Sequence, residues 1–293
     1  MNQTLNQSQI VEIIITTINK IFNNIFSSIN NSMFSKLDDF AFIDIKILNN
    51  KYIKSFIGDF SGGGKIIYLT DALLIAIALY FIIKYFFSAF SGVQTERPFQ
   101  FIFKLFVFAL IINFSYTICF CIINFTNLIS SSLQELGKDV VHSNISFAEL
   151  INKLNNKISI SSSENFDLFS FDGMIKTLAS IGLLSLLLNY SVRYVLIMFF
   201  IISSPLAFLS LINYSTNWIF KAWFKSLFSL LVIQIFLPLI FIVIFSIDIN
   251  NKILFVGSIY TMTKINDYVR ELFGGISSDF SHNLQSQFLR RQF

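Results

Sequence analysis

Ser61 to Lys65 (SGGGK) invites a test for phosphate binding, because glycines before a lysine can wrap backbone N–H groups around a phosphate. The test fails on spacing and chemistry. Five residues, not four, separate Gly58 from Gly64, and Ile66 stands where a Ser or Thr would hold the metal. Cys119 and Cys121 are the only thiols and His142 and His282 the only imidazoles, with no ligand spacing among them. The sequence therefore implies no enzyme, no cofactor and no metal site. What remains is Arg193, the single charge between Thr177 and Asn213. A charge in such surroundings faces a bundle interior, lines an aqueous path or marks a lipid boundary.

The elements that must position Arg193 are membrane helices. The chain of 293 residues is 54% hydrophobic and 13% charged, with a mean hydropathy of +0.68. That is half the charge of an ordinary soluble domain. Phe, Ile, Asn and Lys are abundant together, which reflects base composition more than function, since Asn and Lys gain nothing in lipid. An Arg at a helix centre costs roughly 2.5–3.5 kcal/mol on insertion scales, and each Leu, Ile or Phe beside it returns about 0.3–0.6, so this stretch inserts.

The pattern predicts an all-α polytopic membrane protein with about five transmembrane helices, plus amphipathic helices at the amino end and in the tail. Six spans result if residues 177–213 turn back at Asn189, Tyr190 and Ser191. Residues 1–60 read as an amphipathic region, with Ile10, Ile14, Ile18, Ile21, Ile25 and Ile29 at helical spacing and no signal-peptide pattern. Residues 61–125 hold the first two spans, 66–90 and about 105–125. Residues 126–172 form a polar loop, 173–265 a carboxyl-terminal bundle and 266–293 a tail. The last candidate span, 253–265, is short of the ~20 residues a straight crossing needs.

Orientation follows from loop charge. The short connections 84–104 and 212–225 are basic, whereas 126–172 carries six acidic and three basic residues. This bias places the basic loops in the cytoplasm and the amino-terminal region and polar loop outside. Depth counting then puts Arg193 about 30 Å along its helix from Gly173, at the inner boundary. The same counting matches Asp71 with Lys176 as an ion pair. Gln234, Asn113 and Ser115 read as interhelical hydrogen-bonding groups, Pro205 and Pro238 as helix breaks or kinks, and Trp218 and Trp223 as an aromatic belt.

The stretch Val192 to Leu211 (VRYVLIMFFIISSPLAFLSL) resembles the TrbL/VirB-six family, the polytopic inner-membrane subunit of type IV secretion and conjugation systems. Asn217 to Phe241 is similar to that family's amphipathic segment and next span, and Val256 to Ser277 to the tail of its Gram-positive-like versions. The resemblance implies a channel or scaffold subunit in the cell membrane. It would assemble with itself and with a secretion ATPase, bitopic membrane subunits and an assembly factor, and would contact DNA–protein or protein substrates in transit. Its amino terminus would be external and its carboxyl end cytoplasmic. A permease or transporter subunit and a holin-like pore protein are the alternatives.

Overall fold

The computed structural model describes residues 13–21, 36–57, 65–91, 97–158, 171–246 and 252–273, with 11 and 24 besides. Every regular element among them is helical. Besides helical residues 13–21 and short 3-10 turns at Ile45–Asn49 and Ser210–Ile212, the α-helices in chain order are α1 (Leu37–Ala41), α2 (Lys51–Ile57), α3 (Lys65–Ser91), α4 (Pro98–Asn113), α5 (Ser115–Val141) and α6 (Phe147–Ile158). Then follow α7 (Phe171–Ile202), α8 (Ser204–Leu209), α9 (Asn217–Ser246) and α10 (Lys252–Leu272). α3, α5, α7 and α9 are long and apolar enough to cross a bilayer, and α4 is a shorter apolar helix. The protein is an all-α polytopic membrane protein.

The apolar helices are divided differently from the expected spans. Residues 105–125 are not one span: α4 ends at Phe114, whose N–H reaches the Leu110 carbonyl at 3.0 Å, and α5 starts at once. α5 then runs on to Val141, through residues read from sequence as loop. Its buried positions, Cys119, Ile123, Thr126, Ser130 and Gly137, keep helical spacing. Most of them are small or polar, which hides the stripe from a hydropathy reading. His142, at φ 55°, ends α5 in the left-handed conformation and bonds back to the Lys138 carbonyl. α7 is unbroken through Asn189, Tyr190 and Ser191, so there is no hairpin there. No Gly or Pro stands between Gly182 and Ile202, and the Leu-rich sequence there favours helix. Of the amino-terminal amphipathic pattern, residues 13–21 are helical, with Ile14 and Ile21 exposed; Ile10, Ile25 and Ile29 lie outside the described residues.

The chain falls into two compact units. The first comprises Met1–Phe42, Ile129–Arg193 and Ile233–Asn266. Its core is aromatic: Phe147 packs edge-on against Tyr190 at 5.5 Å and Phe241 at 4.7 Å, and Phe42 lies 6.3 Å from Phe241. Such pairs add about 0.5–1.5 kcal/mol each beyond their burial. Two glycines let helices approach. A Cβ at Gly182 would lie 3.0 Å from Ile259, and one at Gly137 would lie 2.8 Å from Ile242 and 2.9 Å from Ile145. Gly137→Val is therefore expected to lower stability by about 2 kcal/mol through overpacking, read as a lower melting temperature in detergent.

The second unit comprises Ile43–Leu128, Tyr194–Val232 and Asp267–Phe293. Here α8 is buried and packs against α3 and α4. Phe81 of α3 stacks on Phe101 of α4 at 3.5 Å. The Tyr116 hydroxyl donates to the Leu48 carbonyl, and the Asn127 amide donates to Asp44. α3 buries 11% of its apolar window, the least of the four long helices, while α9 buries 61%. An apolar helix so little covered by protein is a lipid-facing one.

Candidate functional site

The sequence drew attention to polar residues in apolar helices; the structure engages several of them with unsatisfied backbone. α1 (LDDFA) is only five residues long, too short to hold itself together. It is held at both ends by other helices. At its end, Arg193 Nη1 donates to the Ala41 carbonyl at 2.7 Å. A cation at a helix carboxyl terminus meets the free carbonyls and the negative end of the helix dipole. Arg193 is 2% exposed, and its guanidinium lies 5.8 Å from the Tyr190 ring centre, one turn back on α7.

At its start, the Asp38 carboxylate accepts from the N–H groups of Phe147 at 2.7 Å and Ala148 at 3.2 Å, the first residues of α6. Ser146 caps the same helix locally, accepting from Glu149 N–H at 3.1 Å. Residues 36–42 therefore form a strap that joins α6 to α7. Burial pushes the Asp38 carboxyl above the usual carboxylate range, the two N–H groups pull it back, and Asp39 beside it raises it again. A carboxyl raised in the folded state contributes stability below its ordinary pKa, and that contribution is lost as pH rises through the folded value. Asp38→Ala leaves two α6 donors without their carboxylate and is expected to cost about 0.5–2 kcal/mol. Asp38→Asn keeps an acceptor oxygen and is expected to cost less than half as much, with melting temperatures making the comparison.

Pro238 follows the same logic. Pro238 lies inside α9 and has no N–H for the Gln234 carbonyl four residues back. The Ser130 hydroxyl of α5 donates to that carbonyl at 2.7 Å, wholly buried. Pro205 sits in the first turn of α8, just past the end of α7. Among the carbonyls of the last α7 turn, Phe199 accepts from Ser203 N–H, and Phe200 from the Ser203 hydroxyl and the Trp223 indole at 2.9 Å.

These contacts revise several expectations. Arg193 is inside the protein instead of at a lipid boundary, and it touches the amino-terminal segment. Depth counting places Arg193 across the membrane from the amino-terminal region, whereas Ala41 of that region lies against Arg193 at 2.7 Å. The count measured rise along one helix and could not see which segment docks beside it. Trp223 is buried among Phe208 and Phe220 and acts as a donor, while Trp218 is 67% exposed. The Gln234 side chain is buried, and the bond that joins it to α5 is made by its backbone. Asn113 bonds within its own helix, to Ala109. Asp71 and Lys176 are half-buried and belong to different units. Among the described residues, one ion pair is found within 4.0 Å, Lys46–Asp44.

Sequence reasoning missed Asp38 and Ser130. The buried spacing along α5 could have found Ser130, and the Ser146–Glu149 capping box could have found the start of α6. Nothing local marks Asp38, which acts on a helix 109 residues away. No protein-family model matches this chain, and no curated protein matches it.

Proposed function

We propose that the protein is a structural subunit of a type IV secretion or conjugation machine in the cell membrane, a scaffold beside or around the transfer path. The observation that carries this reading is the engagement of Arg193. The one charge of the long apolar stretch is committed to holding the strap, which suits a scaffold better than a solute carrier with a polar site at mid-bilayer. The cavity between α9 and α10 is lined mostly by Phe, Leu, Ile and Val, which fits the same reading. The sequence pattern over residues 190–277 supplies the family.

In this reading the acidic segment that follows α5 and the strap lie outside, and the connections around Arg97 and residues 213–216 lie in the cytoplasm. The strap takes Arg193 with it to the external half of the protein. Asn144→Cys should then react with an impermeant thiol reagent on intact cells, and Ser215→Cys only after the cells are opened. The function itself is tested by affinity purification from native membranes. A secretion ATPase and bitopic membrane subunits should copurify, and deletion should abolish substrate transfer. Recovery with a solute-binding or nucleotide-binding permease partner instead, or of the protein alone as a homo-oligomer, contradicts the proposal.

A further inference from the structure

We propose that the start of α9 carries a binding patch for anionic phospholipid headgroups, formed by Lys221 and Lys225 with Trp218 and Lys104 beside them. Trp218, Lys221 and Lys225 are spaced three and four residues apart, which puts them on one helical face. All three are exposed, whereas Trp223 between the lysines is buried. The Lys104 ammonium of α4 stands 5.4 Å from the ring centre of Tyr214, in the turn that leads into α9, and brings a third charge to this end of the helix.

Depth decides what this face meets. Ser226 to Ser246 is an uncharged helical run that rises about 31 Å, the thickness of the ~30 Å hydrocarbon core. α9 already begins at Asn217, so its first turns extend about 13 Å beyond that core. The headgroup layer on each side is about 5–8 Å thick. Lys225 therefore stands at the hydrocarbon boundary, and Lys221 about 6 Å outside it, at the level of the lipid phosphates. An exposed indole beside them suits the same layer.

Charge selects the headgroup. No Asp or Glu occurs between Asp172 and Asp248. α10 reaches this part of α9 where Phe273 meets Phe228 at 5.9 Å. Among the described residues, neither Asp267 nor Glu271 of α10 forms an ion pair with Lys221 or Lys225. Their charge is left for the surroundings, and lysines near an anionic bilayer surface are each attracted to it. A zwitterionic headgroup carries its own cation beside the phosphate; phosphatidylglycerol and cardiolipin do not. A nucleic acid or an acidic protein segment has the same sign of charge, but the phase adjoining Lys225 is lipid.

The test uses the full-length protein in nanodiscs of phosphatidylcholine with an equal amount of phosphatidylglycerol or of cardiolipin, released into detergent for native mass spectrometry. The anionic lipid should be retained about fivefold over phosphatidylcholine, and the two arms show which anionic headgroup is held better. The Lys221→Gln/Lys225→Gln double variant should bring the ratio to about one. Lys51→Gln, which removes an exposed charge from α2, should leave it unchanged. Equal retention by the parent protein overturns the proposal, as does a preference that survives in the double variant or is lost in Lys51→Gln. Equal retention together with capture of a single-stranded oligonucleotide that the double variant loses also overturns it, and assigns the patch to nucleic acid.

Discussion

Arg193→Ala is expected to lower the stability of the folded protein by about 3–5 kcal/mol. Losing the donor leaves the buried Ala41 carbonyl unsatisfied, worth about 1–3 kcal/mol, and losing the long side chain leaves a cavity worth about 2 kcal/mol or more. Relief of the desolvation carried by a buried guanidinium acts in the other direction. The cavity and the orphaned carbonyl outweigh it, because the charge is already compensated by the α1 terminus and the Tyr190 face. Arg193→Met keeps most of the volume and removes the charge, so it separates the two effects and is expected to cost about half as much as Ala. Arg193→Lys retains a donor without the planar fork and should be the mildest of the three. Thermal unfolding in detergent ranks them. If all three fold as the parent does, Arg193 does not hold the strap.

The second large effect is a coupling. Ser130→Ala is expected to cost about 1–3 kcal/mol, because it removes the 2.7 Å hydroxyl bond to a carbonyl to which Pro238 offers no helical N–H. In a Pro238→Ala background residue 238 regains its N–H and can close the α9 ladder. The cost of Ser130→Ala should there fall to about 0.5 kcal/mol or less, giving a coupling of about 1 kcal/mol or more in a double-mutant cycle. Strictly additive costs would falsify the link between the proline and the serine.

How much was legible in the sequence depends on the range of each interaction. Length and hydropathy identify α3, α7 and α9, because a bilayer selects long apolar helices through their own composition. Pro98 marks the start of α4, and Pro205 the break after α7, since a proline acts on its own backbone. α5 was half-missed because its buried stripe is made of Thr, Ser and Gly, which pack closely against neighbouring helices without raising hydropathy. Gln234, Pro238, Trp223 and Arg193 stand out in the sequence by residue type, but their partners are not readable there. Those partners, Ser130, the Phe200 carbonyl and the Ala41 carbonyl, lie 104, 23 and 152 residues away along the chain. The misplacement of Arg193 has the same origin. Counting residues along α7 gives a length, and only the docked strap says what lies at that length.

The amino-terminal strap sits inside its helix bundle, against Arg193 and Phe241. This placement is tested most directly by cross-linking Phe42→Cys to Phe241→Cys in native membranes, in a chain whose Cys119 and Cys121 are replaced by Ala and Ser. The two rings lie 6.3 Å apart, so a short bismaleimide should join them in high yield, and denaturation in SDS before the reagent is added should abolish the product. A native-membrane yield no higher than that of the denatured protein would place residues 36–42 away from the bundle and rule out the strap.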